Sequence, residues 1–276
     1  MKLKRVVSIT LLTLSFLVLL MVASGSALNA AVTSRLDEAT GIPSSPAVLV
    51  ELFTSEGCST CPPADRLLSD LDQTQPIEGV QVIALSEHVD YWNQLGWTDP
   101  FSSAEFSRRQ SDYALAFGRK DLFTPEMVVD GRTALIGSRV KLVLEAIANA
   151  AHSPKAEVTV VIKASGPKSI RLTVQVESVP DVSRGDNADV MLAISESGLL
   201  SSVSRGENSG RELAHSAVTR KLIKLGTVAG RTFNGERVID LSSTWKRQHM
   251  KAVAFVQEHA SRRVLGAAAI KLETSY

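Results

Sequence analysis

The sequence predicts an α/β domain of β-α-β-α-β-β-α order followed by an all-β, sandwich-like C-terminal domain. Three observations predict it. Short, nearly continuous apolar runs alternate with amphipathic segments from Ala47 to about residue 151, the pattern of buried strands and crossover helices. From Lys155 the texture changes to short alternating stretches parted by Gly, Ser, Pro and Asn, as in antiparallel sandwiches. His152-Ser153-Pro154 lies between the two and reads as the boundary, giving domains over 47–151 and 155–276.

Ahead of the first strand the chain reads as a leader. Lys2, Lys4 and Arg5 precede an apolar run from Val6 to about Ala23, and Ser24-Gly25-Ser26-Ala27 follows. That order of charge, hydrophobe and small residues is a secretory signal over 1–27 cleaved after Ala27. Left uncut, the run is at the lower edge of a bilayer-spanning length and would anchor the protein to a membrane. The expectation is export to the periplasm or beyond, with 28–46 as a linker.

Ala47 to Phe53, AVLVELF, predicts a buried strand. The loop TSEGCSTC follows, then PPADRLLSDLDQ, whose Leu67, Leu68 and Leu71 form one helical face. Pro62 and Pro63 fix the start of this helix, because proline is tolerated only in a first turn. Val80 to Leu85 is a second buried strand. An aromatic-rich loop, SEHVDYWNQLGWTDP, leads to a helix from about Ser102 to Phe117. The stretch LFTPEMVVDGRTALIG predicts a hairpin turning at Asp130-Gly131. Val140 to Ala150 predicts the last helix of this half. About seven strands are expected after it. The polar loop SRGENSGREL, 204–213, either meets the cysteine loop or only joins two strands.

Composition narrows the function. A formal charge of +1, from 30 basic and 29 acidic residues, removes any case for nucleic-acid binding. Cys58 and Cys61 are the chain's two cysteines, too few for a disulfide-scaffolded fold. Zinc wants about four ligands, and the five histidines are scattered with no close pair. A staple closing about four residues contributes only roughly 2 kcal/mol. Cu(I), which suits two thiolates with His88 nearby, stays as an alternative. No cofactor is implied.

Disulfide exchange needs a thiolate, and a helix N-terminus favours one through its unpaired N–H groups and macrodipole. Cys58, just ahead of the helix, is therefore the attacking thiol and the more exposed sulfur. Cys61 is the resolving thiol. The loop after the second strand opens at the carboxyl edge of the sheet, where ligands bind. It brings His88 as an acid–base group, with Trp92 and Trp97 as an apolar wall for a partner.

The element order, the Cys-x-x-Cys at the first strand-to-helix turn and the Thr-Pro before the hairpin resemble the thioredoxin superfamily over 47 to about 150. More narrowly, VELFTSEGCSTCPPAD, LSEHVDYWNQLGW and GENSGRELAH resemble exported bacterial thioredoxin-like proteins of unestablished function. The resemblance implies a cis Pro125 opposite the dithiol, leaving the backbone of Thr124 free to pair with an extended partner. It also implies that Glu51, an acid inside the first strand, relays the proton of Cys61. Thioredoxins usually carry Trp before the first cysteine and Gly-Pro between the two. Gly57 and Ser59-Thr60 stand here instead, so no potential is carried over. The expected activity is thiol–disulfide exchange with protein thiols and disulfides. The alternatives are a non-catalytic binding module and a Cu(I)-handling protein using the same cysteines.

Overall fold

A computed structural model describes residues 45–166 and 168–272. The expected signal segment, and all of the expected linker but its last two residues, lie outside that range. From Ser45 onward the chain forms one compact unit.

The first half supplies β1 (Ala47–Thr54), α1 (Pro62–Thr74), β2 (Gln81–His88), α2 (Ala104–Ala116), β3 (Glu126–Val129), β4 (Thr133–Ile136) and α3 (Val140–Ala151). Pro62 and Pro63 occupy the first two positions of α1 and Cys61 caps it. Ser103 caps α2, its side chain accepting from the Glu105 N–H. Asp130 and Gly131 both have positive φ, 50° and 61°, and with Arg132 they form the three-residue connection of the β3–β4 hairpin. Gly131 is required there twice over: a Cβ would lie 1.8 Å from the carbonyl oxygen of Arg262.

The second half adds β5 (Glu157–Ser165), β6 (Ser169–Glu177), β7 (Ala188–Glu196), β8 (Leu199–Ser202), β9 (Glu212–His215), β10 (Val218–Thr227), β11 (Phe233–Asp240), β12 (Met250–Glu258) and β13 (Val264–Lys271). The hairpin β8–β9 flanks the 203–211 loop. Sequence patterning missed it, because LLSS and ELAH are too short to show a period.

The fold class expected from the sequence is overturned. A thioredoxin-like α/β domain followed by a separate β-sandwich would keep two independent sheets. Instead a single mixed sheet of eight strands runs through both halves in the order β13-β12-β7-β10-β2-β1-β3-β4. With thirteen strands against three α-helices among the described residues, the chain is mainly β. The physical reason lies at β2. Its outer edge is not a domain boundary: the Ser86 N–H donates to the carbonyl of Ala217 at 2.8 Å, and Val218 pairs with Ser86 in parallel. Leu49, Ile83 and Leu85 share a core with Ala193, Val253 and Phe255, so neither half buries its apolar surface alone. The expected boundary at His152–Pro154 falls inside the compact unit.

Alternation along β1 decides what each face meets. Val48, Val50 and Leu52 pack under α1 and α3 with Leu68, Leu71, Val143 and Ile147. Leu49 and Phe53 face the α2 side, with Phe106 and Tyr113. Beyond β10, the sheet is covered on one face by the three-stranded β11-β6-β5 layer. Among the described residues, no helix is long and apolar enough to cross a membrane.

Candidate functional site

Cys58 and Cys61 form a disulfide at the start of α1. The turn is built by the Cys58 N–H donating to the Ser55 carbonyl (3.1 Å) and the Cys61 N–H to the Cys58 carbonyl (3.2 Å). The helix end offers less to sulfur than a generic N-terminus. Pro62 and Pro63 have no N–H, and the N–H groups of Ala64 and Asp65 both donate to the Cys61 carbonyl, at 2.8 and 3.1 Å. What reaches Cys58 instead is the Thr60 hydroxyl, 3.4 Å from its sulfur. Oxidised sulfur has no proton, so the hydroxyl donates.

The expected exposure of Cys58 is not found: both cysteines are 0% exposed. Part of the cover comes from the first half. Trp92 lies against Gly57, where an added Cβ would sit 3.1 Å from the Trp92 Cβ, and its indole N–H donates to the Thr124 hydroxyl at 2.9 Å. The Thr124–Pro125 peptide bond is cis. Gly137 lets Pro125 approach α1. A Cβ there would come within 2.9 Å of the Ala64 Cβ and 3.5 Å of the Pro125 Cβ, so Pro125 stands beside the first turn behind Cys61.

The rest of the cover comes from the second half. Asn208, fully buried, donates from its side-chain amide to the carbonyls of Glu56 (2.8 Å) and Cys58 (2.9 Å). The Ser59 N–H donates to the Glu207 carboxylate at 2.9 Å. Arg211 donates to the Asn208 side-chain oxygen at 2.9 Å, completing the amide's pairing.

Beneath the loop is a buried cluster of ionisable groups: Glu56, Asp65, His88, Asp99 and His215, all under 10% exposed. His88 Nδ1 lies 2.7 Å from Asp99, which also accepts the Glu56 N–H at 2.9 Å. Glu56 accepts from the Trp97 indole at 2.7 Å and lies 3.1 Å from His215 Nε2. The two imidazoles meet edge to face at 4.9 Å, and both contact Phe101. Asp65, one turn after Cys61 on α1, accepts the Thr54 hydroxyl at 2.8 Å. His88 Nε2 and His215 Nδ1 are buried without a hydrogen-bond partner.

Electrostatics follow from this packing. Burial lowers the His88 pKa, but the carboxylates of Asp99, Asp65 and Glu56 outweigh it and the net shift is upward. Asp99 moves the other way: burial raises it, and His88 with two backbone N–H donors brings it below the usual range. Each of His88 and Asp99 thus favours the charged form of the other. Burial pushes the Asp65 carboxyl up, against the pull of His215, His88 and the Thr54 hydroxyl. Among the described residues no three His, Cys, Asp or Glu side chains form a group that could hold a metal ion.

Glu51 is elsewhere. It lies on the α2 side of β1, where Arg109 Nε donates to it at 2.7 Å and the Tyr113 hydroxyl donates to its other oxygen. Gln257 joins this buried network through Tyr113 at 2.7 Å. Asp65 faces the opposite, α1, side. The structure therefore brings Cys58, Cys61, His88, Trp97 and Asp65 to one region, with Trp92, Thr124 and Pro125 at its flank, and leaves Glu51 across the sheet. A cavity of about 550 Å³ at the far end of α1, lined by Asp72, Gln75, Val80 and Lys251, includes none of them.

Sequence reasoning missed Asp65, Asp99, Asn208 and His215. For all but Asp99 a signal existed: Asp65 closes VELFTSEGCSTCPPAD and the other two lie in GENSGRELAH, two of the three motifs of the narrower resemblance, and the structure gathers all three here.

A family model described as a protein of unknown function, DUF1223, matches residues 49–257. The chain belongs to this family. The DUF1223 match takes in both cysteines, Asn208 and His215, so the whole cluster lies inside the family's span. No curated protein matches this DUF1223 chain. Among solved structures it is similar to protein AGR_C_4864 from Agrobacterium tumefaciens, at 26% identity and a TM-score of 0.64, covering 83% of this chain and 96% of that one. HBP35 of Porphyromonas gingivalis is similar at 13% identity and a TM-score of 0.61, over 82% of this chain and 75% of that one. These likenesses concern the fold.

Proposed function

We propose that this DUF1223 protein is an exported thiol–disulfide oxidoreductase acting on protein partners through Cys58 and Cys61. One observation carries the reading: the disulfide lies at a helix start directly over a buried acid–base cluster. A staple has no use for such a cluster, and the four-residue ring adds little stability. Export rests on the leader-like residues 1–27 and on the oxidising compartment a disulfide needs.

In the oxidising direction a partner thiolate attacks Cys58, the sulfur–sulfur bond breaks, and Cys61 leaves as a thiolate that takes up a proton. A second partner thiolate then attacks the mixed disulfide and releases Cys58. The partner loses two electrons and two protons, and the pair gains them. Thr60, donating to the Cys58 sulfur, stabilises that departing thiolate. Asp65, rather than Glu51, is the buried acid that stores the proton of Cys61. It lies one helical turn away on the same face, held by Thr54. The reverse sequence reduces a partner, and the potential relative to the compartment sets the net direction.

Incubation of Cys61→Ser with a reduced, unfolded, cysteine-containing protein and an oxidant tests this. A mixed disulfide through Cys58, absent in Cys58→Ser, is expected. A pair that neither forms mixed disulfides nor cycles between dithiol and disulfide overturns the reading. Stoichiometric retention of Cu(I) by the reduced protein, lost in Cys58→Ser, would replace it with the copper-handling alternative.

A further inference from the structure

The 203–211 loop holds the cysteine turn in an unusual way. Val203 at its base and Asn208 are its buried residues; Ser204 to Glu207 and Ser209 to Arg211 are exposed. Little apolar surface goes under it, so its attachment rests on polar contacts. Those contacts are the Asn208 amide on the Glu56 and Cys58 carbonyls and the Glu207 carboxylate on the Ser59 N–H. Gly206 adds one close approach, to the Trp97 Cβ. Such a segment is drawn from the low-stability end of a fold and opens locally.

The groups it satisfies are two backbone carbonyls and one backbone N–H, spread over Glu56, Cys58 and Ser59. An extended polypeptide satisfies that same set with its own N–H and C=O groups. Asn208 supplies the N–H function and Glu207 the oxygen function that a peptide main chain would bring.

We propose that the 203–211 loop is an internal competitor seated in the binding site for an extended, cysteine-bearing polypeptide, which must displace Asn208 and Glu207 to reach Cys58. The inference rests on the redox reading above and adds the class of partner and a control on access. It assigns Asn208 and Glu207 as positioning residues of the resting state. They contribute nothing to the sulfur chemistry, and their removal accelerates it. A partner that cannot replace the lost backbone contacts leaves the Glu56 carbonyl uncompensated and the Cys58 carbonyl with the Cys61 N–H alone, so folded surfaces with inflexible cysteines are excluded.

The test is the rate at which dithiothreitol reduces Cys58–Cys61 in the full chain, read by alkylation and mass spectrometry. With both hydrogen bonds to the cysteine turn gone, Asn208→Ala is expected to reduce on the order of tenfold faster. Exposed Glu207→Ala, which puts no buried group at risk, is expected to reduce about threefold faster. Hydrogen exchange supplies the partner arm on Cys61→Ser joined at Cys58 to a short extended cysteinyl peptide. Relative to the uncoupled protein, the 203–211 amides are expected to lose protection while Ser59 keeps its own. With β-mercaptoethanol in place of the peptide, both are expected to lose it. Unchanged reduction rates in both variants, or a peptide adduct with the loop still protected, overturn the internal competitor even where the pair cycles normally. A pair that fails to cycle in wild type and variants alike overturns the redox reading instead.

Discussion

The two buried histidines sit in similar surroundings but are held differently. His88 Nδ1 lies 2.7 Å from the Asp99 carboxylate, and its pKa is raised. His215 contacts Glu56 at 3.1 Å. Because the folded pKa of His88 lies above the roughly 6.5 of an unfolded histidine, its contribution to stability is complete below that value. It is lost as pH rises through the folded pKa. The groups facing it are Asp99, Asp65, Glu56 and His215. Urea midpoints measured from pH 5.5 to 9 should fall with rising pH in the wild type and flatten in His88→Gln. An equal slope in both would remove His88 as the source. At Asp65, replacement by Asn keeps the size and removes the titration. We expect mixed-disulfide resolution to slow by about 10- to 100-fold, with its pH profile losing one inflection, while the urea midpoint changes little. None of this could be read from residue order. Asp65 looks like any first-turn acid of a helix, and the pairing of His88 with Asp99 depends on how the aromatic loop folds back on itself.

Elements were more legible than the contacts between them. Apolar runs marked β1 and β2, two prolines marked the start of α1, and Asp130-Gly131 marked the hairpin turn. What the turn does was invisible. The Asp130 carboxylate accepts the Leu49 N–H at 2.9 Å and pairs with Lys155, and the Val264 N–H donates to the Asp130 carbonyl at 2.8 Å. The turn is thus a joint between the first-half hairpin and the β12–β13 turn. A Cβ at Gly131 would strike the Arg262 carbonyl, so Gly131→Ala is expected to cost about 2–4 kcal/mol in urea unfolding. An effect below about 1 kcal/mol would mean that the joint yields easily. Glu51 carried a different lesson. An acid in an apolar strand was rightly conspicuous, but charge in a core is as readily a structural pair as a reactive group. Here Arg109 and Tyr113 account for it.

At the scale of the molecule, sequence texture pointed to two folding units, because a buried parallel strand and an alternating antiparallel one look different even when they lie in one sheet. Texture reports which faces are covered and does not report which strands are neighbours. Since β2 is bordered by β10 and shares its core with β12, a fragment of residues 45–151 would expose both that edge and Ile83 and Leu85. Such a fragment is expected to lack a cooperative thermal transition by circular dichroism, and the intact protein is expected to show a single one. Independent, reversible melting of the fragment would restore the two-unit view.

The joint origin of the site also sets an order in time. Synthesis runs from the N-terminus, so Cys58 and Cys61 emerge well before Asn208 and His215 exist as folded neighbours. During that interval the sulfurs are exposed to whatever thiol or oxidant they meet, and they gain their cover when β8–β9 folds onto the cysteine turn. Burial of the pair therefore comes late, from a residue 150 positions downstream of Cys58.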